Sequence, residues 1–190
     1  VRPFVEAVTA LSYAVAQPVN VYLTGNPVRP GVTGRPSAED IVEQRVQLID
    51  IDPVDDPAAV PRFGETLTAL LRELGIARLV IDSGRGVQVW VRLLPTLTSA
   101  DRTRLKDAIA ELGRAAGVKV DATQDPGRLM RCPGSLNTKT GKRASILAAT
   151  ADDARPLDAG DLEAFGATGG AASPPSPLSA DDREALDRVP

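Results

Sequence analysis

The stretch Leu48-Ile49-Asp50-Ile51-Asp52-Pro53 carries two aspartates that are one residue apart within an apolar run. A short apolar run of this kind predicts a buried, central β-strand. Because side chains alternate between the two faces of a strand, Asp50 and Asp52 should project from the same face as neighbours. Two like charges beside a core repel each other, and the usual compensation is a divalent cation that prefers oxygen ligands, Mg²⁺ or Mn²⁺. The alternative is a strand end whose aspartates are solvated beyond the sheet.

The composition excludes several kinds of site. The chain of 190 residues contains one cysteine, Cys132, and no histidine. The chain therefore cannot form an internal disulfide or a Cys/His zinc cluster. Mechanisms that need a histidine base are also excluded. No apolar run approaches the ~20 residues of a membrane span, and the first residues lack a signal-peptide pattern. We therefore predict a cytoplasmic protein with no membrane partner.

The net charge of −3 hides an uneven distribution along the chain. Residues 1–77 hold 6 basic and 10 acidic side chains, residues 78–148 hold 13 and 6, and residues 149–190 hold 3 and 9. A basic middle segment indicates an anionic partner that binds to one surface. Solvated helix faces would give the same count.

Hydrophobic periodicity and turn residues predict the elements around the aspartate strand. The predicted elements are a helix over 4–16, strands over 19–23 and 46–51, a helix over 60–74, strands over 78–82 and 87–93, a helix from Thr98 to Gly117, and strands over 118–120 and 143–148. Residues 27–37 contain three prolines and two glycines, which is typical of a loop. Its Arg29 and Arg35 could reach phosphates, or could belong to a plain surface loop.

The element order around Asp50 is strand, helix, hairpin, helix, strand. In such an order the helices cover one face of the sheet and leave the other face to a ligand. The alternation in 87–93 places Gln88 on the polar face, and the strand over 118–120 delivers Asp121 to the same face. A third carboxylate from another strand is what a pair of metal ions about 4 Å apart requires.

Four segments of the chain carry motif-like patterns in a fixed order. They are Leu48-Ile49-Asp50-Ile51-Asp52-Pro53, Ser83-Gly84-Arg85-Gly86-Val87-Gln88, Val118-Lys119-Val120-Asp121, and Arg131-Cys132-Pro133-Gly134-Ser135-Leu136-Asn137-Thr138-Lys139. The preceding stretch, Val21 to Pro27, belongs to the same pattern. Each segment alone is a weak signal, whereas four in order on the predicted elements are a fairly strong one.

Together these segments resemble the catalytic domain of the archaeo-eukaryotic primase superfamily, and in particular the primase-polymerases of phages and plasmids. That family has a D-x-D strand, an S-G-x-G-x-H hairpin, an aspartate at the end of a third strand and, in many members, an R-x-P-G-[ST]-x-N-x-K loop. The match covers about residues 4–148. One departure is that Gln88 stands where the family has a histidine that contacts the nucleotide's phosphates. Glutamine can donate hydrogen bonds but carries no charge. The alternative for Gln88 is a surface residue on an edge strand.

The resemblance implies an α+β fold with an RRM-like antiparallel or mixed sheet, helices on one face, an open catalytic face and an N-terminal helix-strand unit. It implies a catalytic domain over 1–166. Composition predicts a Gly/Ala/Ser/Pro-rich linker over 167–178, and the pattern Ser179-Ala180-Asp181-Asp182 predicts the start of a helical region over 179–190. In the parent protein that region would be helical or a helicase.

The implied function is metal-dependent nucleotidyl transfer, by a DNA primase or polymerase, in phage or plasmid replication. The partners would be a single-stranded DNA template and nucleoside triphosphates. Mg²⁺ or Mn²⁺ would bind to Asp50, Asp52 and Asp121. The triphosphate would be positioned by six residues, namely Ser83, Arg85, Gln88, Arg131, Asn137 and Lys139. The alternative is a non-catalytic module on the same fold that binds single-stranded DNA or a replication origin.

Overall fold

The structure is a computed structural model that describes residues 11–121, 125–150 and 154–167. The helices are 11–16 (α1), Ala59–Glu73 (α2), Ser99–Ala115 (α3) and Leu162–Ala167 (α4). The strands are β1 (Tyr22–Thr24), β2 (Val46–Pro53), β3 (Arg78–Asp82), β4 (Val87–Arg92), β5 (Val118–Asp121), β6 (Leu129–Arg131), β7 (Leu136–Asn137), β8 (Lys142–Arg143) and β9 (Ser145–Ala149). The first part of the predicted helix over 4–16 and, apart from Ala167, the predicted linker and terminal helix lie outside the described residues.

Five strands form one antiparallel sheet in the order β5-β2-β4-β3-β9. The aspartate strand β2 pairs with β4 on one side and with β5 on the other. The prediction of a central strand is therefore confirmed, as is the order strand, helix, hairpin, helix, strand. The fold is α+β, as predicted. Among the described helices, none is both long and apolar enough to span a bilayer.

The main hydrophobic core lies between this sheet and helices α2, α3 and α4. Alternate residues of β2 and β4 supply the sheet side of the core, among them Ile49, Ile51 and Val89, which are fully buried. Each such side chain stabilises the fold by about 1.5–3 kcal/mol relative to an exposed one. Phe165 of α4 is similarly buried in the same core. The sequence analysis did not predict α4, because such a short helix has no clear periodicity.

The opposite face of the sheet is partly covered, which corrects the expectation of an open face. Leu48, Ile81 and Gln88 project away from the helices and are nevertheless buried. A second, two-stranded sheet of β1 and β6 supplies cover here, since the backbone N–H of Arg131 in β6 donates to Gln88 Oε1 at 3.2 Å. The area of this face that is left open to a ligand is therefore smaller than the whole face.

The chain between β5 and β9 contains more structure than the predicted loop and strand. Residues 125–139 hold β6 and β7, and the predicted strand over 143–148 is divided into β8 and β9. The division falls at Ala144, whose N–H donates to the Ser135 carbonyl at 2.9 Å and whose carbonyl accepts from the Gly134 N–H at 2.7 Å. Ala144 thus continues the hydrogen bonding of the β7–β8 pair toward residues 134 and 135, whereas the next residues pair with β3.

Candidate active site

Three acidic side chains lie on the partly covered face, on β2 and on the edge strand β5 beside it. The Cα of Asp50 is paired with that of Asp121 in β5 and with that of Gln88 in β4, and Asp52 is paired with Lys119. Directly opposed residues of an antiparallel pair project from the same face. The strand register therefore gathers Asp50, Asp52, Asp121 and Gln88 on one face.

Burial and nearby negative charge disfavour the charged form of Asp50. Burial raises the pKa of Asp50 above its ordinary value, and the negative charges of Asp52 and Asp121 act in the same direction. A hydrogen bond from the Gln88 side chain and the positive charge of Arg128 lower it, but less strongly. A carboxylate whose charge is this poorly compensated attracts a cation.

The other two carboxylates already face arginines. Arg128 Nη2 donates to Asp121 Oδ2 at 2.8 Å, and Arg85 Nε lies 3.9 Å from Asp52 Oδ1. The first contact is a hydrogen-bonded ion pair, and the second is a loose pair in which the Arg85 side chain is 61% exposed. Such exposed pairs are weak and open readily.

The three carboxylates are suitable ligands for a divalent cation, but their side chains are not arranged around a common point. Carboxylate oxygens from two strands are the ligands that Mg²⁺ and Mn²⁺ prefer. Within the described residues, however, no three His, Cys, Asp or Glu side chains form a group that could hold a metal ion. Asp121 instead directs its charge to Arg128.

The predicted hairpin after β3 is confirmed, and its serine is used within the turn. Ser83 Oγ donates to the Gly86 carbonyl at 3.0 Å and accepts from the Gly86 N–H at 3.1 Å. Gly84 has a φ of +83°, which favours glycine. Position 86 has no room for a side chain, because a Cβ added to Gly86 would lie 2.3 Å from the Ile51 carbonyl oxygen. The turn therefore packs directly against the aspartate strand.

The Arg131 side chain is directed into the protein rather than toward the carboxylates. Its guanidinium donates to Asn20 Oδ1 at 2.7 Å, to the Leu136 carbonyl at 3.2 Å and to the Tyr22 hydroxyl at 3.1 Å. Arg131 thereby joins β6 to β1 and β7. A contact between Arg131 and the triphosphate stays a prediction.

Asn137 and Lys139, the other predicted residues of this loop, lie in different environments. Asn137 is buried, and its Nδ2 donates to the Ser83 carbonyl at 3.0 Å, which ties the loop to the hairpin. Lys139 is exposed. Arg85 and Lys139 are therefore the predicted cations that are open to solvent.

Gln88 is a bridge inside the site. Its side chain donates to Asp50, and its Oε1 accepts from the backbone N–H of Arg131. Only 7% of the residue is exposed, and β4 lies between β2 and β3. The alternative of a surface residue on an edge strand is therefore wrong. Gln88 orients Asp50 and holds β6 against the sheet.

We expect Gln88→Ala to destabilise the fold, because it leaves the buried Arg131 N–H without its partner. An unsatisfied buried donor costs about 1–3 kcal/mol, and urea unfolding at neutral pH measures the loss. Gln17→Ala is the matched control, because Gln17 follows α1 and its side-chain hydrogen bond to the Tyr13 carbonyl is exposed. Equal midpoints for Gln88→Ala and Gln17→Ala would contradict the bridging role.

Sequence reasoning missed two residues that shape the site. Asn26 is buried and makes four side-chain hydrogen bonds to backbone, and Arg128 contacts Asp121. Asn26 stands within a stretch of the motif pattern, so a signal is present. Arg128 gives no signal in sequence, because it is one of many basic residues in the middle segment.

A comparison with solved structures finds a similar fold in the AEP domain of the primase-polymerase of cyanophage S-2L. The two chains are 20% identical, and the match covers 83% of this chain and 75% of the cyanophage chain with a TM-score of 0.52. This chain thus has a fold similar to that of the cyanophage AEP domain. No family model matches the sequence, and no curated protein matches it significantly.

Proposed function

We propose that this chain is a primase-polymerase domain that carries out template-directed nucleotidyl transfer in phage or plasmid replication. The observation that carries the proposal is the cross-strand row of Asp121, Asp50 and Gln88, on a fold similar to that of a cyanophage primase-polymerase. We also propose that β2-α2-β3-β4-α3-β5 is the RRM-like unit, since its strands have the order β5-β2-β4-β3.

Asp50, Asp52 and Asp121 would hold Mg²⁺ or Mn²⁺. Bound ions would supply Lewis-acid stabilisation of the transferred phosphoryl group and a more nucleophilic attacking hydroxyl. Gln88 holds the Asp50 carboxylate in place on the face where its neighbours project. The exposed Arg85 and Lys139 are the best placed of the predicted residues to meet the triphosphate, and the basic middle segment would hold the template strand through its phosphates.

A second candidate function is binding of single-stranded DNA or an origin without catalysis. It is favoured by the arginines that face Asp52 and Asp121 and by the lack, among the described residues, of a group ready to hold a metal. The raised pKa of Asp50 counts against it. A binding module gains nothing from a buried carboxylate that repels a polyanion.

The test is primer extension and de novo priming on a single-stranded template, with Mg²⁺ or Mn²⁺ and with ribo- or deoxyribonucleotides. We expect extension that depends on the metal and is lost in Asp121→Ala. Asp107→Ala, which changes an exposed aspartate on α3, is the matched control and should keep wild-type rates. Template binding without incorporation under every condition would favour the binding module.

A further inference from the structure

A pocket of about 230 Å³ is lined by Tyr22, Arg35, Arg128 and Leu129. None of these four residues belongs to the set that the motifs predict for metal or triphosphate. The pocket reaches the acidic row through Arg128, which contacts Asp121. It therefore places two cations beside the site at which the proposed reaction occurs.

Both arginines have donor capacity left for a ligand. The Arg128 guanidinium has five N–H donors, and among the described residues its side-chain hydrogen bond is the single one to Asp121. Arg35 Nη2 lies 3.7 Å from Asp125 Oδ2, which is too long for a good hydrogen bond, and the Arg35 side chain is 62% exposed. A pair of guanidinium groups suits a phosphate, which offers several oxygens and more than one charge.

The remaining walls of the pocket are an aromatic ring and an aliphatic side chain. The Tyr22 ring has the Arg131 guanidinium carbon at 5.0 Å from its centroid, and its hydroxyl accepts from the same side chain. Tyr22 and Leu129 give a surface against which a sugar or a base can pack. This surface favours a phosphate that is carried by a nucleoside over free inorganic phosphate.

The two loops that carry the arginines are packed against each other. Gly127 has so little room that an added Cβ would lie 2.7 Å from the Pro36 carbonyl oxygen and 3.0 Å from that of Ser37. The Pro126 carbonyl accepts from Asn26 Nδ2 at 2.9 Å. The separation of the two loops is therefore set by backbone packing, and the pocket is a built feature of the fold.

We infer that this pocket binds a phosphate group of a nucleotide or of a DNA strand, and that Arg128 turns from Asp121 to that phosphate. Arg128 keeps a favourable contact with an anion throughout, because the phosphate replaces the Asp121 carboxylate as its partner. Asp121 is then free to accept a divalent cation. The identification of the phosphate as nucleotide or DNA rests on the proposed function, whereas phosphate binding at the two arginines does not.

The test uses the full chain in EDTA, so that no metal contributes. Calorimetry measures binding of pyrophosphate, and fluorescence anisotropy measures binding of a labelled oligothymidylate. We expect Arg35→Gln and Arg128→Gln each to weaken binding about tenfold for at least one probe. Arg62→Gln changes an exposed arginine that pairs with Asp56 on another part of the surface, and it should bind both probes like the wild type.

The two probes identify the source of the phosphate. Loss confined to pyrophosphate assigns the pocket to the nucleotide, and loss confined to the oligonucleotide assigns it to the DNA strand. Arg128→Lys keeps the charge but not the planar fork, so it should recover only part of the loss. Unchanged affinity for both probes in Arg35→Gln and Arg128→Gln would overturn the inference, even if the protein extends primers. Arginine-dependent binding without any extension would leave the pocket standing and remove the proposed function.

Discussion

Asp50→Asn is expected to abolish nucleotide incorporation and, in the absence of metal, to raise the melting temperature. Asparagine keeps the shape of the side chain and an oxygen that accepts from Gln88, but it has no charge for a cation. Loss of charge stabilisation worth several kcal/mol lowers the rate by at least about 10³-fold, since each ~1.36 kcal/mol is a factor of ten. Primer extension measures this effect.

The gain in stability follows from the pKa of Asp50. Folding raises this pKa, with burial as the main cause, so the contribution of the group to stability is lost as the pH rises through the folded-state value. At neutral pH, where the unfolded chain ionises this carboxyl group, its raised pKa therefore destabilises the metal-free fold, and Asp50→Asn removes that cost. Each kcal/mol gained corresponds to about 2–4 °C in a chain of this size. The difference should vanish as the pH falls below the ordinary aspartate pKa.

Asp107→Asn is the matched control, because Asp107 is exposed and pairs with its neighbour Lys106. It should change neither the extension rate nor the pH dependence of unfolding. If Asp50→Asn extends primers at the wild-type rate, Asp50 does not hold a catalytic metal. If it melts below the wild type at neutral pH in EDTA, the account of Asp50 as a poorly compensated charge is wrong.

Asn26→Ala is expected to give the largest loss of stability among the substitutions considered. Asn26 Oδ1 accepts from the N–H groups of Arg45 and Val46 at 2.7 and 2.8 Å. Its Nδ2 donates to the carbonyls of Val46 and Pro126 at 3.2 and 2.9 Å. Each group left unsatisfied in the interior costs about 1–3 kcal/mol, so we expect a loss of at least about 3 kcal/mol.

Thermal unfolding measures this loss as a fall of about 6–12 °C in melting temperature. Asn20→Ala is the control, because Asn20 also bonds through both side-chain polar atoms but is exposed. Asn26→Asp should lie between the two, since it keeps the acceptor for β2 and removes both donors. A melting temperature for Asn26→Ala close to that of Asn20→Ala would show that water replaces these bonds.

The sheet and the row of acidic residues could be predicted because they follow from local patterns. Alternation within β2 and β4 fixes which side chains share a face, and the Ser83–Gly86 turn fixes how β3 and β4 pair. The same patterns place Asp50 and Gln88 on one face once the strands are adjacent. Short-range sequence information is sufficient for the faces of each strand and for the hairpin, whereas the adjacency of β2 to β4 and β5 joins residues that are distant in the chain.

The remaining features depend on contacts between distant parts of the chain. β1 and β6 have three residues each, too few for a period, and they pair across more than 100 positions. The bonds of Arg131 to Asn20 and Tyr22 also depend on a segment more than 100 positions away. The contact between Arg128 and Asp121 likewise depends on how the loop after β5 returns to the sheet, which no local pattern records.

The pairing of β1 with β6 has a consequence for the order in which the molecule folds. The β3–β4 hairpin closes over a short loop, whereas joining Tyr22 to Arg131 requires closure of a very long one. The main sheet and its helices can therefore form first, with the small sheet added to a scaffold that already exists. The pocket proposed for phosphate has one wall on β1 and another on β6, so we expect it to be completed after the main sheet and to open before that sheet in local unfolding.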